Sequence, residues 1–187
     1  AASDVYKRQV GIPGSIGGAV YMNAGAYDGE MQNIVNCVKV MDLQGNERVL
    51  TAEELNFGYR KTSLQNSGLI VTGVTLKMPS GNKDEIKSKM DDFSRRRISK
   101  QPLEMPSAGS MFKRPPGYFA GTLIDQAGLK GYTVGGAQIS TKHAGFVVNV
   151  GGATAADVLQ LIKDVQTKIK AGVGVELQPE VLVIGEE

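Results

Sequence analysis

The chain has 187 residues, 41% of them apolar, which is enough for one or two domains with a packed interior and excludes a disordered chain. A net charge of +2, with no Lys/Arg cluster interleaved with aromatics, gives no reason to expect a nucleic-acid partner. One cysteine and one histidine exclude a disulfide framework and a thiolate metal cluster, and no apolar run approaches the ~18 residues of a membrane span.

Residues 1–9 are polar and aperiodic, and read as a segment foreign to the rest of the chain. From Gly11 to Tyr27 the chain is glycine-rich but not a linker, because Ile16, Val20 and Met22 alternate with small residues and can pack. Pro13 stiffens the entry, and Ser15 is placed to cap a short helix opening near Ile16. Such a junction is either a tight turn where a helix meets a sheet, or a row of backbone N–H groups that cradles phosphate.

Residues 34–43 alternate apolar and polar up to Gln44-Gly45-Asn46, which predicts a hairpin returning through Val49-Leu50. Within that pattern Cys37 reads as a buried structural thiol. Thr51-Ala52-Glu53-Glu54 has the form of a capping box opening one helical turn. Gly68 to Met78 is a β-rich strand, broken by Pro79-Ser80-Gly81-Asn82. Residues 83–97 form a helix with Ile86, Met90 and Phe93 on one face, ending in the basic run Arg95-Arg96-Arg97. Gln101 to Ser107, with two prolines, is a loop; residues 119–127 are a short helix; Ala144 to Val150 is a strand. Thr154 caps a long helix whose Val158, Leu161, Ile162, Val165 and Ile169 share a face, and residues 174–184 form a final strand. The order predicts an α+β fold with a boundary near residue 80.

Several residues carry two readings. Arg60 is a surface arginine or a permanently charged fork for a carboxylate. Ser110 is a turn serine or a positioned proton donor; without a Gly-x-Ser-x-Gly elbow it is no hydrolase nucleophile. Glu180, in an otherwise apolar run, is the solvent face of an edge strand or an acid held for chemistry. Arg97 and Lys100 complement a helix C-terminus or bind an anion. His143 is a satisfied histidine or a ligand contact.

Four ordered segments break these ties. The loop Gly11–Tyr27, Gly58-Tyr59-Arg60, Ala108-Gly109-Ser110-Met111-Phe112-Lys113 and Leu177-Gln178-Pro179-Glu180-Val181 together closely resemble the UDP-N-acetylmuramate dehydrogenase family, also called UDP-N-acetylenolpyruvoylglucosamine reductase. The chain is similar to the family's compact branch, which lacks a longer insertion and its loop tyrosine. The resemblance implies a flavoenzyme that uses FAD, takes NADPH as co-substrate, and reduces the enolpyruvyl ether of a UDP-amino sugar for peptidoglycan synthesis. It implies part of an FAD-binding domain over 10–80 and a substrate-binding domain over 81–187, with the family's N-terminal part not in this chain and FAD binding weakened accordingly. It assigns flavin contact to Gly11, Ile12, Pro13, Gly14, Ser15, Gly17, Gly18 and Ala19. It assigns catalysis to Arg60, Ser110 and Glu180, and substrate contact to Tyr59, Arg97, Lys100, Lys113, Arg114 and His143. Leu182 departs from the pattern, since many members have arginine there. A cytoplasmic monomer with a nucleotide-sugar substrate and no metal is expected. Two alternatives stay open: a non-catalytic nucleotide-sugar-binding fragment, and a flavin oxidase sharing the FAD fold.

Overall fold

The computed structural model describes residues 8–27 and 29–185. Of the stretch 1–9, residues 1–7 lie outside the described residues. The chain divides into two compact units, one ending at Arg97 and one beginning at Ile98.

In the first unit, α1 (Ile16–Tyr21) opens where Ser15 leaves the helix in an extended conformation and its Oγ accepts from the Gly18 N–H at 3.1 Å. Gly17 faces the sheet, and a Cβ there would be in ordinary van der Waals contact with Val71, 3.5 Å from its Cβ. A short hairpin comes next, β1 (Gly25–Ala26) with β2 (Gly29–Glu30). Then β3 (Val35–Met41), β4 (Glu47–Thr51) and β5 (Ile70–Leu76) form an antiparallel sheet in the order β4-β3-β5. The expected hairpin is present, and Asp42 organises its turn. The carboxylate accepts from the Gln44 and Asn46 N–H groups and the Asn46 amide, all at 2.9 Å. These bonds hold its pKa below the usual carboxylate range, with Asn46 the largest cause.

The reading of Cys37 as buried needs correction: it is half-buried. The register between β3 and β5 skips Asn36, pairing Val35 with Leu76 and Cys37 with Thr75. That bulge breaks the two-residue alternation, so Val35 and Val38 are both buried and Cys37 turns aside. Val20, Met31, Ile34, Val38, Val40, Leu55 and Leu64 form the core of this unit. The capping box at Thr51 closes one turn: Thr51 N–H donates to Glu54 Oε2 at 2.8 Å and Glu54 N–H to Thr51 Oγ1 at 3.3 Å.

α2 (Lys83–Lys100) starts from Asn82, whose Oδ1 accepts from the Asp84 and Glu85 N–H groups. It runs three residues past the expected end at 97. No breaker intervenes until Pro102, and Gln101, disfavoured in α geometry before proline, stops it.

The second unit carries β6 (Ser107–Ser110), α3 (Ala120–Gln126), β7 (Thr133–Val134), β8 (Ala137–Ile139), β9 (Phe146–Asn149) and α4 (Ala155–Val173). Its sheet is antiparallel, in the order β6-β9-β8-β7. α4 is the helix expected from Thr154. Thr154 Oγ1 accepts from Asp157 N–H at 3.1 Å, Asp157 accepts from Thr154 N–H at 2.9 Å, and Gly174 ends the helix at φ 72°. Leu161, Ile162, Val165 and Ile169 are buried against Ile124, Ala137, Ile139 and Val147.

The final strand over 174–184 does not form. One isolated bridge, Phe112 with Pro179, is all the ladder there is among the described residues of that stretch. Pro179 has no N–H to continue a ladder, and Leu182 to Ile184 are exposed, Ile184 to 92%. The β7–β8 hairpin was not foreseen, although Gly135-Gly136 between Val134 and Ala137 is its signal. Both units are built of antiparallel strands with helices alongside, an α+β architecture.

Gly136 is where that hairpin meets the 151–153 turn. A Cβ there would lie inside contact distance of Gly151 O and the Ala153 backbone, none of which is a flexible side-chain end. Gly136→Ala should therefore destabilise the protein by about 1–3 kcal/mol, the range for forced overpacking. Urea denaturation at constant m-value is the measurement, and an unchanged midpoint would show that the turn yields freely.

Candidate functional site

The glycine-rich loop borders a cavity of about 540 Å³ in the first unit. Ile12, Pro13, Gly14, Ser15, Gly18 and Ala19 are among its lining residues, as are Met22, Met31 and Met90. Gly14, at φ 150°, has no heavy atom within 4 Å of where a Cβ would stand, so the loop presents bare backbone to open space. Methionine walls are deformable and suit a flat aromatic guest. Gly11 and Gly17 are not among the cavity's lining residues. Gly11 packs near Arg97, and Gly17 faces the sheet.

Arg60 sits in a turn whose ends bond to each other: Gly58 N–H donates to Lys61 O at 2.9 Å, and Lys61 N–H to Gly58 O at 3.1 Å. Its backbone is left-handed, at φ 54°. A non-glycine residue at that φ is uncommon, so surrounding contacts must hold it. Arg60 Nη2 donates to Gly25 O at 3.1 Å, and its guanidinium carbon lies 5.1 Å from the Tyr59 ring centroid. Tyr59 is 50% exposed.

In the second unit, Ser110 ends β6 after an irregularity in the β6–β9 register, with Gly109 at φ 85°. The serine is exposed, and its Oγ lies 3.5 Å from Phe112 O, longer than a good hydroxyl hydrogen bond. Glu180 reaches the same segment from the C-terminal end. Its N–H donates to Met111 O at 2.8 Å, and Lys113 N–H donates to Gln178 O at 2.8 Å. Leu177, buried, anchors this clip. Gln166 Nε2, from α4, donates to Leu177 O at 2.8 Å. The backbone of Glu180 is thus bonded to Met111, the residue after Ser110, which lies seventy positions earlier in the chain.

The basic residues have different surroundings. Arg97 is buried and Nε donates to Val10 O at 3.1 Å and Nη2 to Arg8 O at 2.9 Å, with its guanidinium carbon 5.6 Å from the Tyr27 ring centroid. Lys100 is exposed at the end of α2, and Lys113 is half-buried. Arg114 is exposed, its guanidinium carbon 4.0 Å from the Phe119 ring centroid. His143 is half-buried, edge-on to Phe146 with ring centroids 5.0 Å apart, and its Nδ1 accepts from Gly145 N–H at 3.1 Å. That bond requires the neutral ring with its proton on Nε2. Desolvation, aided by Lys130 and Lys100, lowers its pKa below 6.5.

The family model for the C-terminal domain of UDP-N-acetylenolpyruvoylglucosamine reductase matches residues 101–184. Reductases of that name from Pediococcus pentosaceus and Clostridium perfringens are 54% and 55% identical over 177 residues, which is 95% of this chain and 59% and 58% of theirs. Over 95% of its length the chain is similar to these UDP-N-acetylenolpyruvoylglucosamine reductases. The solved reductase (MurB) from Thermus caldophilus is similar to it with a TM-score of 0.80 at 44% identity, covering 93% of this chain and 62% of that one. The chain therefore spans about three-fifths of the length of the relatives it matches. Both alternatives to a reductase, a binding fragment and an oxidase, gain nothing from these likenesses to reductases.

Sequence reasoning passed over Asn23, which is fully buried, and Gln65, whose Nε2 donates to Arg60 O at 3.0 Å and Tyr21 O at 3.2 Å. The one available signal for Asn23 was an amide set among the small and apolar residues that end the glycine-rich loop, where an uncompensated polar group would be costly.

His143 gives a pH signature. Its folded-state pKa is below the unfolded value, so the unfolded chain takes up the proton first as pH falls. Its stabilising contribution is complete above about pH 6.5 and is lost as pH drops below that value toward the folded pKa. His143→Gln should flatten stability between pH 7.5 and 5 relative to the parent. Parallel stability curves for the two proteins would show that His143 does not titrate with unfolding.

Proposed function

We propose that this chain carries the greater part of an FAD-dependent, NADPH-using reductase that converts UDP-N-acetylglucosamine enolpyruvate to UDP-N-acetylmuramate in peptidoglycan precursor synthesis. Residues 10–80 are read as part of the FAD-binding domain and 81–187 as the substrate-binding domain. The observation that carries the reading is the clip that sets Glu180 beside the Ser110 segment. Reduction of an enol ether requires a proton donor and an acid from the protein, and the clip joins the two segments that carry Ser110 and Glu180. An oxidase has no use for the pair.

Gly14, Ser15 and Gly18, with Met22, Met31 and Met90, line the cavity and would hold the flavin. FAD, when bound and reduced by NADPH, supplies hydride to the distal carbon of the enolpyruvyl double bond. Arg60 holds the substrate carboxylate as negative charge moves toward it. Glu180 shares the enol's charge through a hydrogen bond, and Ser110 Oγ donates the proton that completes the adjacent carbon. Lys113 and Arg114 come soon after Ser110 along the chain. With Tyr59, Lys100 and His143 they are read as contacts to the nucleotide sugar, while Arg97 acts chiefly through the Arg8–Gly11 backbone it holds. A nucleotide-sugar substrate and NADPH are metabolites of the cytoplasm, and a cytoplasmic monomer is the state we infer. Among the described residues no helix is long and apolar enough to cross a membrane.

In the flavoenzyme, Ser110→Ala should leave reduction by NADPH intact and slow oxidation by the enolpyruvyl substrate about 10²–10⁴-fold, the scale of general acid catalysis. Stopped-flow absorbance separates the half-reactions. Equal slowing of both, or less than tenfold in the second, removes Ser110 from the donor role.

Arg60→Lys should cost nearly as much as Arg60→Ala, because an ammonium cannot replace a bidentate fork on a planar carboxylate. The loss should fall on kcat more than on KM and amount to about 2–4 kcal/mol, as for one preorganised donor. Near-normal turnover by the lysine variant would return Arg60 to the status of a surface arginine.

A further inference from the structure

The buried amide of Asn23 has a geometry that its place in the glycine-rich loop does not explain. The residue is fully buried and left-handed, at φ 43°. Its Nδ2 donates to Gly58 O at 2.9 Å and to Glu30 Oε2 at 2.9 Å, while its Oδ1 accepts from Gln32 N–H at 2.9 Å. Both amide protons and one acceptor lone pair are engaged, so the side chain has a single orientation.

Gly58 O also accepts from Lys61 N–H at 3.1 Å, closing the turn that presents Tyr59 and Arg60. The other end of Arg60 is fixed by the same loop. Its guanidinium donates to Gly25 O, two residues beyond Asn23. Gly25 allows that approach because a Cβ would stand 2.8 Å from Glu30 Cγ, 3.1 Å from Gly29 O and 3.3 Å from Arg60 Nη1. Glu30 in turn accepts from Gln32 Nε2 at 2.8 Å and from Asn23. Asn23 thus bonds the carbonyl that closes the Arg60 turn, and its partner Glu30 pairs across β1–β2 with Gly25, whose carbonyl receives the guanidinium.

We propose that Asn23 is a positioning residue for Arg60, holding the strained turn so that the guanidinium is aimed before substrate arrives. This rests on the reading of Arg60 as the carboxylate anchor. A displacement of about 1 Å can cost on the order of 10²-fold in rate, so loss of the Asn23 bonds should be felt in turnover.

The test is a double-mutant cycle in the flavoenzyme. Asn23→Ser removes both amide N–H donors, leaving one shorter hydroxyl, and is small enough to fit the site. It should lower kcat for the enolpyruvyl nucleotide about 10–100-fold while sparing flavin reduction by NADPH. In an Arg60→Lys background the same substitution should change kcat less than about twofold, because the geometry it protects is already lost. Val40→Ala, a core truncation in the same unit, controls for stability and should leave kcat near the parent value when enzyme is fully folded. Equal losses in both backgrounds, or an unchanged kcat in the single variant, overturn the proposal. If the parent itself fails to oxidise its flavin with the enolpyruvyl nucleotide, the functional reading fails. Hydrogen exchange at the Lys61 amide then decides the positioning claim. Asn23→Ser must accelerate that exchange well beyond Val40→Ala, and equal exchange in the two variants sinks it.

Discussion

Irregular backbone must find hydrogen-bond donors, and in this protein polar side chains from distant parts of the sequence supply them. A buried carbonyl without a partner costs about 1–3 kcal/mol, and the glycine-rich and proline-containing loops leave many carbonyls outside any ladder. Asn23 donates to Gly58 O, Gln65 to Arg60 O and Tyr21 O, and Thr62 to Tyr21 O. Arg97 donates to Val10 O and Arg8 O, Gln166 to Leu177 O, and Lys142 to Ile98 O. Each bond ties a loop to a regular element or to another loop. Some of these carbonyls have two donors, as Tyr21 O has in Thr62 and Gln65 and Gly58 O in Asn23 and Lys61, so the loops are held by overlapping polar contacts.

This arrangement places the proposed chemistry on loops and element ends while the regular structure stays apolar and rigid. The core of the first unit, around Val38, Val40 and Leu55, carries none of the proposed catalytic groups. Arg60 stands on a turn, Ser110 at a strand end and Glu180 on an extended segment. Of the three, Arg60 is itself left-handed, while Ser110 comes after left-handed Gly109 and Glu180 after Pro179. A left-handed non-glycine residue persists only where surroundings over-determine it.

Arg97 illustrates how a tertiary partner changes a residue's meaning. A third consecutive arginine near a helix end invites the reading of a solvated or anion-binding cation. Instead it is buried, with two backbone carbonyls as acceptors and the Tyr27 ring against it. The guanidinium suits that task, since its planar fork satisfies two carbonyls at once and is more weakly hydrated than an ammonium.

Where local pattern and capping chemistry agree, the sequence by itself determined the element. The helix from Ala155 to Val173 was legible from the Thr154 cap, an apolar stripe at helical spacing and Gly174, because all its hydrogen bonds are local. The hairpin through Asp42 was legible for the same reason. Among the site residues, the motif segments were readable as strings, but not their neighbours in space. Strands and sites depend on partners remote in sequence, and there only the tertiary structure decided. The run 174–184 alternates as a strand should, yet Pro179 and the lack of a pairing segment leave it a clip on residues 111–113. The bulge at Asn36 half-exposes Cys37 against its own local pattern. Asn23 acquired its role from Gly58, thirty-five residues away, because a buried amide takes its meaning from the groups that satisfy it.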